Sequence, residues 1–319
     1  MILVTGGNGI IGGNLVKRLA KEEGKAVVLF DQHVNKESDF FKDCDNIHFV
    51  RGDITNHFTL SSIFAQYEID SIIHCAANVN STKCRENPIN AVEVNTLGTL
   101  SLLELARIYD VGTFINIGSA SVFGNQSSTE PIYETTLATP MNVYASTKKL
   151  SEELVHCYRV NYGMNAVNLR VSWVFGPSPE YKIPLWSHGP IAYYTWKVLS
   201  EKKLVEPSGS DLVANFTFID DVVDGVIRAL ETEHLPGCLH ISSEKLYSNK
   251  EVIEFLQEKR PEIQIKVGGG AEPFVKQAPI RGPLVSEYKE QIGFEPKADL
   301  KESLNIYFNW VNEEIKKGK

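Results

Sequence analysis

The sequence has no surplus of positive charge, no long apolar run and no closely spaced cysteine pair. Its 319 residues carry 32 Lys and Arg against 40 Asp and Glu, a net charge of −8. Because affinity for nucleic acid comes mainly from basic side chains that neutralise phosphates, this balance argues against a nucleic-acid partner. The most basic stretch, EEIKKGK at the C-terminal end, is expected to be a solvated helix end.

The absence of any run of about 18 apolar residues argues against a membrane span. The first apolar stretch ends before position 5, which is too short for a signal peptide. The cysteines form no CxxC pair, which predicts reduced thiols, no metal site and a cytoplasmic location. They are Cys44, Cys75, Cys84, Cys157 and Cys238.

Short apolar runs alternate with helical patterns over the first 172 residues. Continuous apolar strands separated by helices are typical of a parallel sheet covered on both faces. With right-handed crossovers, this order predicts an α/β doubly wound parallel sheet, a Rossmann fold. The predicted strands are 2–5, 26–31, 47–50, 70–76, 113–118 and 166–171. The predicted helices follow position 9 and then cover roughly 57–67, 88–109, 142–162, 218–230 and 300–315.

The second half of the chain is richer in turn residues, and its periodicity is weaker. We expect residues 1–174 to form the Rossmann domain, with segments 216–240 and 299–316 returning to it. Segments 175–215 and 241–298 are expected to form a smaller C-terminal lobe.

A glycine-rich turn follows the first strand. VTGGNGIIGG places Gly6, Gly9 and Gly12 in the spacing GxxGxxG. Glycines there permit a tight turn, and backbone N–H groups near Ile10 and Ile11 can then approach a pyrophosphate at the positive end of the helix. The alternative is a plain strand–helix turn, because such turns are common.

An acidic residue, Asp31, ends the second strand. A carboxylate at this point can accept both hydroxyls of an adenosine ribose, and it repels a 2′-phosphate. Together with the glycine turn it predicts a dinucleotide site that prefers NAD to NADP.

Two further strand ends fit the same cofactor. After the third strand, Asp53 could accept from the adenine amine and Ile54 could cover the ring; alternatively, Asp53 caps the helix that starts near position 57. After the fourth strand, the small residues Ala76 and Ala77 would let the cofactor lie against the backbone.

The stretch YASTK supplies Tyr144 and Lys148, which share one face of a helix because they are four residues apart. A nearby ammonium favours the phenolate, and lowering a tyrosine pKa by about 3 units takes roughly 4 kcal/mol. Such a tyrosine exchanges a proton with a substrate hydroxyl while hydride moves to or from nicotinamide. The alternative is a chance pair on an ordinary helix.

Taken together, these motifs resemble those of the extended short-chain dehydrogenase/reductases, in particular the NAD-dependent epimerase/dehydratase family. The similarity covers nearly the whole chain, in family order. The segments that carry it are TGGNGIIG (5–12), Asp31, GDI (52–54), HCAA (74–77), VNTLGT (94–99), GSASVFG (118–124), YASTK (144–148), LRVSWVFGP (169–177), FIDDVVDGV (218–226) and IGFEPK (292–297).

By matching positions, the resemblance implies that Ser119, Tyr144 and Lys148 are the catalytic residues. Ser119 would bond the reacting oxygen, Tyr144 would transfer its proton, and Lys148 would tune Tyr144. The resemblance also implies that Asn95 lies near the cofactor and substrate and that Ser172 lies against the nicotinamide. The alternatives are a helix-packing polar residue for Asn95 and a plain strand end for Ser172.

The chain departs from the 4,6-dehydratases of the family. Those enzymes carry Thr-Asp-Glu at the positions where this chain has Ser119, Ala120 and Ser121. Elimination of water needs a proton donor and a base, so the missing acids argue against dehydration and favour a 4-epimerase-like enzyme or a simple dehydrogenase.

A second departure concerns a diphosphate. The family often has Asn at the position of Trp173 and Arg at the position of Ala214, and bidentate Arg is the best clamp for a pyrophosphate. In the predicted substrate-binding lobe, Lys182, His188 or Arg281 could compensate. The residues assigned to the substrate are Asn78, Ser119, Ser121, Trp173, His188 and Arg281.

The sequence therefore predicts an NAD-dependent sugar epimerase acting on a sugar or nucleotide sugar. The alternatives are an NAD-dependent dehydrogenase or reductase of a non-nucleotide sugar, sugar acid or polyol, a 4,6-dehydratase, and a non-catalytic NAD-binding protein. The resemblance also implies a homodimer through the helices near 88–109 and 142–162. The apolar residues Leu150, Leu154, Val155 and Tyr158 could equally face the sheet.

Overall fold

A seven-stranded sheet forms the centre of the computed structural model, which describes residues 1–126, 128–180, 189–272, 274 and 281–318. The strands are Ile2–Thr5 (β1), Val27–Asp31 (β2), Ile47–Arg51 (β3), Ser71–His74 (β4), Thr113–Ser119 (β5), Ala166–Val171 (β6), Val174–Phe175 (β7), Lys203–Glu206 (β8), Val213–Ala214 (β9), Thr217–Phe218 (β10), Cys238–Ile241 (β11), Tyr247–Ser248 (β12) and Gln264–Val267 (β13).

Helices cover both faces of this sheet. The α-helices are Ile10–Lys21 (α1), His57–Gln66 (α2), Ser81–Glu86 (α3), Pro88–Val92 (α4), Gly98–Ile108 (α5), Val143–Tyr162 (α6), Pro190–Trp196 (α7), Ile219–Leu230 (α8), Asn249–Lys259 (α9) and Leu300–Lys316 (α10). Two π-helical turns lie at Glu93–Leu97 and Lys197–Glu201, and 3₁₀ turns lie at Asp39–Phe41, Ala120–Phe123 and Lys289–Ile292.

The unbroken apolar character of the strands follows from burial on both sides of the sheet. Along β1, Leu3 packs into one hydrophobic core and Val4 into the other, and both are fully buried. The neighbouring β2 repeats the pattern with Val28 and Leu29. Successive side chains of a strand point to opposite faces, so each of these strands needs apolar residues at every position.

The strand order is β11-β6-β5-β4-β1-β2-β3, and every neighbouring pair is parallel. The order reverses between β1 and β4. In open α/β sheets, ligands bind in the crevice outside the carboxyl ends of the strands at such a point. The predicted doubly wound Rossmann fold is confirmed, and its crevice lies beside the glycine turn.

The long helix predicted for 88–109 is interrupted. Asn87 caps α4 through its side chain, and the π-helical turn Glu93–Leu97 separates α4 from α5. Single π turns inside helices frequently occur at functional sites, and this one carries Asn95.

The described residues of the later part of the chain build three two-stranded sheets, β7 with β10, β8 with β13 and β9 with β12. β11 completes the main sheet and α8 packs on α1. The terminal helix α10 packs on α7 and α9, where the Phe308 ring lies 6.3 Å from that of Phe255. Its Tyr307 ring also lies 6.2 Å from Phe175 of β7. The predicted domain division, with α10 returning to the Rossmann domain, stays a prediction.

All five cysteines are free thiols. Within the described ranges, no group of three or more His, Cys, Asp or Glu side chains is placed to hold a metal ion. No helix in the same ranges is both long and apolar enough to cross a bilayer.

Candidate active site

The turn between β1 and α1 leaves no room for side chains at two of its glycines. Gly6 has φ +66°, and a Cβ placed on it would lie 2.7 Å from the Ala76 backbone nitrogen. A Cβ on Gly12 would lie 2.2 Å from the Gly6 carbonyl oxygen. The helix then begins at Ile10 with no side-chain cap. The first N–H groups of a helix have no intrahelical acceptor, so those of Ile10 and Ile11 suit an anionic ligand.

Asp31 stands at the end of β2 beside this turn. One of its carboxylate oxygens accepts from the backbone N–H of Asn8 at 3.0 Å, and the other accepts from that of His33 at 3.0 Å. An ionised carboxylate offers about four lone-pair sites, so two remain after these bonds. The acceptor predicted for ribose hydroxyls is therefore held in place by the turn itself.

The three predicted catalytic residues meet at the carboxyl end of β5. Ser119 ends that strand, while Tyr144 and Lys148 lie on α6, which Asn142 caps by accepting from the Ala145 N–H at 2.9 Å. The side chain of Ser119 lies close enough to the Tyr144 phenol to interact with it. Lys148 is buried and donates from Nζ to the carbonyl oxygen of Ile117 at 2.8 Å.

Burial dominates the electrostatics of this group. It raises the pKa of the Tyr144 phenol above its ordinary value, and the interaction with Ser119 opposes that shift without overcoming it. Burial also lowers the pKa of Lys148 to about 8, against the opposing effects of Cys75 and Glu152. The sequence predicts a Tyr144 pKa lowered by Lys148. In the structure desolvation prevails, and the lysine ammonium is bonded to the Ile117 carbonyl.

Asn95 connects the fourth strand to the catalytic helix. Its Oδ1 accepts from the Asn78 backbone N–H at 2.7 Å, and its Nδ2 donates to the Asn78 carbonyl at 3.1 Å and to Thr147 Oγ1 at 2.9 Å. With these bonds made inside the protein, Asn95 acts as a positioning residue. Asn78, assigned to the substrate from the sequence, presents its backbone to Asn95.

Comparison with known proteins identifies this arrangement. The model of the NAD dependent epimerase/dehydratase family matches residues 2–241. A UDP-glucuronate 4-epimerase of Thermodesulfobacterium geofontis is 31% identical over 330 residues, which cover 98% of this chain and 96% of that protein. The chain belongs to the NAD-dependent epimerase/dehydratase family. It is therefore an enzyme, and its cofactor is NAD.

Other members and structures show the range of this family. A dTDP-glucose 4,6-dehydratase of Xanthomonas campestris is 26% identical over 332 residues, which cover 97% of this chain and 92% of that protein. The crystal structure of a UDP-glucose 4-epimerase with UDP-glucose from Thermotoga maritima has a TM-score of 0.86 at 24% identity, covering 98% of this chain and 99% of that one. This second likeness shows the fold.

The residues of the crevice fit the NAD of the family. Backbone atoms occupy the space that a Cβ would need at Gly6 and Gly12, so the turn is tightly packed. The N-terminus of α1, where a pyrophosphate binds in this fold, follows directly from it. Asp31 offers free lone pairs on the ribose side. The two residues that follow Asp31 are Gln32 and His33, neither of which is a fixed cation.

Asp53 and Ile54 lie at the far end of the same crevice. Asp53 accepts from the Thr55 N–H at 2.9 Å and from Gln32 Nε2 at 2.8 Å, and the cap of α2 is Asn56. The helix-cap alternative for Asp53 is therefore wrong, because Asn56 accepts the bond from the first turn of α2. Ile54 is 4% exposed and packs against the backbone of Gly98. The adenine contacts of both residues stay a prediction.

Ser172 and Trp173 directly follow β6. Ser172 is buried, and Trp173 has φ +37°, a conformation that a bulky residue rarely adopts. The indole of Trp173 lies over Gly189, where an added Cβ would meet the ring at 3.0 Å, and it packs edge-to-face with Phe216 at 6.2 Å. This packing holds the strained backbone in place. The contacts of Ser172 with nicotinamide and of Trp173 with the substrate stay predictions.

Arg281 reaches into the site from the lobe. Its Nη1 donates to the Ala120 carbonyl at 2.7 Å, within the turn that carries Ser119 and Ser121. Burial lowers the pKa of this guanidinium to about 10, which leaves it charged at neutral pH. The Oγ of Ser121 is buried with no hydrogen-bond partner in the described structure. A half-buried cation and an unused hydroxyl thus both lie next to Ala120.

Lys182 and His188, the other expected contributors from the lobe, lie outside the described residues. The position where the family often has a phosphate-binding Arg is Ala214, which is buried. Next to it, Asn215 donates to Ser243 Oγ at 2.9 Å and to the Lys245 carbonyl at 2.8 Å. This part of the substrate motif is used for packing within the protein.

The sequence motifs missed a buried ion pair behind the catalytic helix. Arg170 on β6 bonds both oxygens of Glu152 on α6, at 3.0 and 2.8 Å, and the two side chains are 7% and 3% exposed. Glu152 lies one turn beyond Lys148, and a Cβ on Gly118 would lie 3.0 Å from its Oε1. The four-residue spacing from Lys148 was the available signal, because it places Glu152 on the buried face of α6.

Proposed function

We propose that the enzyme is a sugar epimerase that works by reversible hydride transfer at a secondary hydroxyl of a sugar or nucleotide sugar. The observation that carries the proposal is the meeting of Ser119, at the end of β5, with Tyr144 on α6, where Lys148 is buried one turn further along the same helix. A 31% identical relative named UDP-glucuronate 4-epimerase supports this class of reaction.

In the proposed reaction, Tyr144 takes the proton of the substrate hydroxyl and later returns it, while Ser119 donates a hydrogen bond to the reacting oxygen. Bound NAD would supply a reversible hydride acceptor and a positive charge that favours the phenolate. One hydride and one proton leave and both come back, the hydride to the opposite face, so the product is an isomer of the substrate. Lys148 would supply further charge that favours the phenolate and would hold the ribose of the cofactor.

Arg281 supports a phosphate-bearing substrate. Its guanidinium is charged, lies against the Ser119–Ser121 turn, and has further N–H groups besides the one that reaches Ala120. Bidentate binding to a phosphate is the geometry that arginine serves best. We therefore favour a nucleotide sugar whose diphosphate lies between the turn and the lobe.

The rival is an NAD-dependent dehydrogenase of a non-nucleotide sugar, sugar acid or polyol. The packing of Ala214 and Asn215 inside the protein favours it, because a frequent phosphate contact of the family is missing. The 4,6-dehydratase alternative is disfavoured by Ala120 and Ser121, neither of which can act as the acid or base of an elimination.

A panel of UDP- and dTDP-sugars, free sugars and sugar acids, each incubated with enzyme and NAD, tests the proposal. An epimerase gives an isomer without net absorbance of NADH, a dehydrogenase gives NADH in proportion to product, and a dehydratase gives a keto-deoxy sugar. The control is Tyr144→Phe, which keeps the ring. We expect it to lose about 10²- to 10⁴-fold in turnover while it still binds NAD.

We further propose a homodimer and a cytoplasmic location. Val155 is fully buried against the sheet, whereas Leu97, Leu150 and Ile108 are 48%, 50% and 58% exposed on the outward sides of the interrupted helix and α6. These apolar side chains support pairing of the two helices with those of a second copy. Analytical ultracentrifugation of Leu150→Glu, which we expect to dissociate the dimer, tests this contact.

A further inference from the structure

His74, at the end of β4, is buried between two threonines. Its Nδ1 lies 2.7 Å from Thr5 Oγ1 at the end of β1, and its Nε2 lies 3.0 Å from Thr99 Oγ1 in α5. The exposed fraction of each of the three residues is at most 1%. None of them belongs to the candidate catalytic group.

The neighbours of the two hydroxyls decide which ring nitrogen carries the proton. Thr99 Oγ1 donates its hydrogen to the Asn95 carbonyl at 2.7 Å, so toward His74 it acts as an acceptor and Nε2 is the donor. Nδ1 is then an acceptor for the hydroxyl of Thr5. Thr5 Oγ1 in turn accepts from the Ala76 backbone N–H at 3.3 Å. The other tautomer would leave the Thr5 hydrogen without an acceptor among these groups and cost a bond to Asn95.

Further hydrogen bonds lead from Asn95 to the helix that carries Tyr144. Its side-chain Nδ2 donates to Thr147 Oγ1 at 2.9 Å, and that hydroxyl donates to the Tyr144 carbonyl at 2.8 Å. Two runs of hydrogen bonds, joined covalently within Asn95, therefore connect the Ala76 amide at the cofactor crevice to the backbone of α6.

The first of these hydrogen bonds lies next to the glycine turn. The Ala76 nitrogen is the atom that a Cβ on Gly6 would approach to 2.7 Å, so the position of Ala76 sets how closely β4 supports the turn. The Thr5 hydroxyl accepts a hydrogen bond from that nitrogen, and it donates its own hydrogen to His74.

We propose that His74 is a positioning residue, fixed as the neutral Nε2–H tautomer, whose bonds to Thr5 and Thr99 hold the floor of the NAD crevice in register with the helix that carries Tyr144. The connection to Tyr144 rests on the proposed function; the connection to the NAD crevice does not. Burial, and secondarily the charge of Lys148, lowers the pKa of His74 to about 3, which keeps the ring neutral in the working range.

Two variants at Thr99 test the positioning role of His74. Thr99 is suitable because its side chain is not among the residues proposed to contact cofactor or substrate. Thr99→Val keeps the shape and removes the acceptor, whereas Thr99→Ser restores the hydroxyl. The probe is NAD itself, titrated calorimetrically into the full-length protein without substrate. We expect Thr99→Val to raise the NAD dissociation constant about tenfold and Thr99→Ser to stay within about twofold of the starting protein.

A spectroscopic measurement on the unaltered protein supplies the second arm. In a two-dimensional ¹H–¹⁵N correlation of the histidine rings, assigned with His74→Gln, the signal should show a protonated Nε2 and a bare Nδ1 between pH 5 and 8. A protonated Nδ1 would overturn the proposal, as would a Thr99→Val protein that is folded by circular dichroism and binds NAD like the original. If Thr99→Val does not fold, the ring spectrum alone decides. Failure of the hydride mechanism would leave both readouts unchanged, because neither involves substrate.

Discussion

Removing the charge of Glu152 is the sharpest perturbation of the scaffold behind the catalytic helix. Glu152→Gln keeps the size of the side chain and leaves the Arg170 guanidinium buried without its carboxylate. Besides Glu152, that guanidinium contacts the Glu134 carbonyl at 3.4 Å and His240 Nε2 at 3.5 Å, and it lies over the Phe123 ring at 4.9 Å. None of these contacts is an anion, and the Glu134 carboxylate acts on Arg170 only as a weaker, non-bonded charge, so most of the desolvation of Arg170 is no longer compensated.

The expected loss is large relative to total stability. Breaking a buried ion pair by removing one partner costs about 3–5 kcal/mol, whereas whole domains are stable by about 5–15 kcal/mol. At roughly 2–4 °C per kcal/mol, the melting temperature should fall by about 6–20 °C. Urea unfolding followed by circular dichroism measures the free energy of unfolding directly.

The chain offers a matched control one residue away. Glu153 pairs with Lys149 at 2.6 Å, but its side chain is 54% exposed, and exposed pairs contribute about 0–1 kcal/mol. Glu153→Gln should therefore unfold nearly like the original protein. Replacing both members of the buried pair, Glu152→Met with Arg170→Met, should recover most of the loss, because two apolar groups leave no unpaired charge. Equal effects of Glu152→Gln and Glu153→Gln would refute this reasoning.

Three further results are expected. Gly12→Ala should abolish measurable NAD binding in a fluorescence titration because its Cβ would lie 2.2 Å from Gly6 O, whereas Gly237→Ala, with its nearest neighbour at 3.9 Å, should bind normally. Asp31→Ser should narrow the preference for NAD over NADP, since it removes the charge that repels a 2′-phosphate; an unchanged ratio of dissociation constants would contradict this. Lys148→Met should stabilise the fold at pH 7 by an amount on the order of 3 kcal/mol, because the folded pKa of about 8 lies below the unfolded value of 10.5. Urea titrations should show this gain in the free energy of unfolding in full below pH 8 and show it vanish as the pH rises to about 10.5. A gain that does not change with pH would contradict a lowered pKa of Lys148.

The fold could be predicted from the sequence because its strongest signals are local. The run Val27–Asp31 is apolar at four consecutive positions and ends in an acid, and both facts follow from one strand buried on two faces beside a cofactor crevice. The packing of α10 on α7 and α9 could not be predicted from a local sequence pattern. Its amphipathic face specifies burial but not the surface that buries it.

The candidate site also contains some residues that local patterns indicate and others that only the tertiary structure reveals. The positions of Asp31 at a strand end and of Tyr144 and Lys148 on one helix face could be predicted from short motifs, and that of Ser119 from the resemblance to the family; their roles stay predictions. The Glu152–Arg170 pair and the contacts of His74 join residues that are far apart in the chain, so no local pattern contains them. They depend on how β4, β6 and α6 pack, which only the tertiary structure shows.

The central claim is that a hydride leaves the substrate and returns to the same carbon with Tyr144 handling the proton. The most direct measurement is the reaction run in D₂O, on whichever nucleotide sugar the enzyme isomerises, with the product examined by ¹H NMR. The account predicts an isomer with no deuterium on the reacting carbon, because that hydrogen travels as hydride and never meets solvent. It also predicts that Tyr144→Phe forms this isomer at least about 100-fold more slowly. Deuterium at the inverted carbon would mean that the hydrogen leaves as a proton, and the account of this site would be wrong.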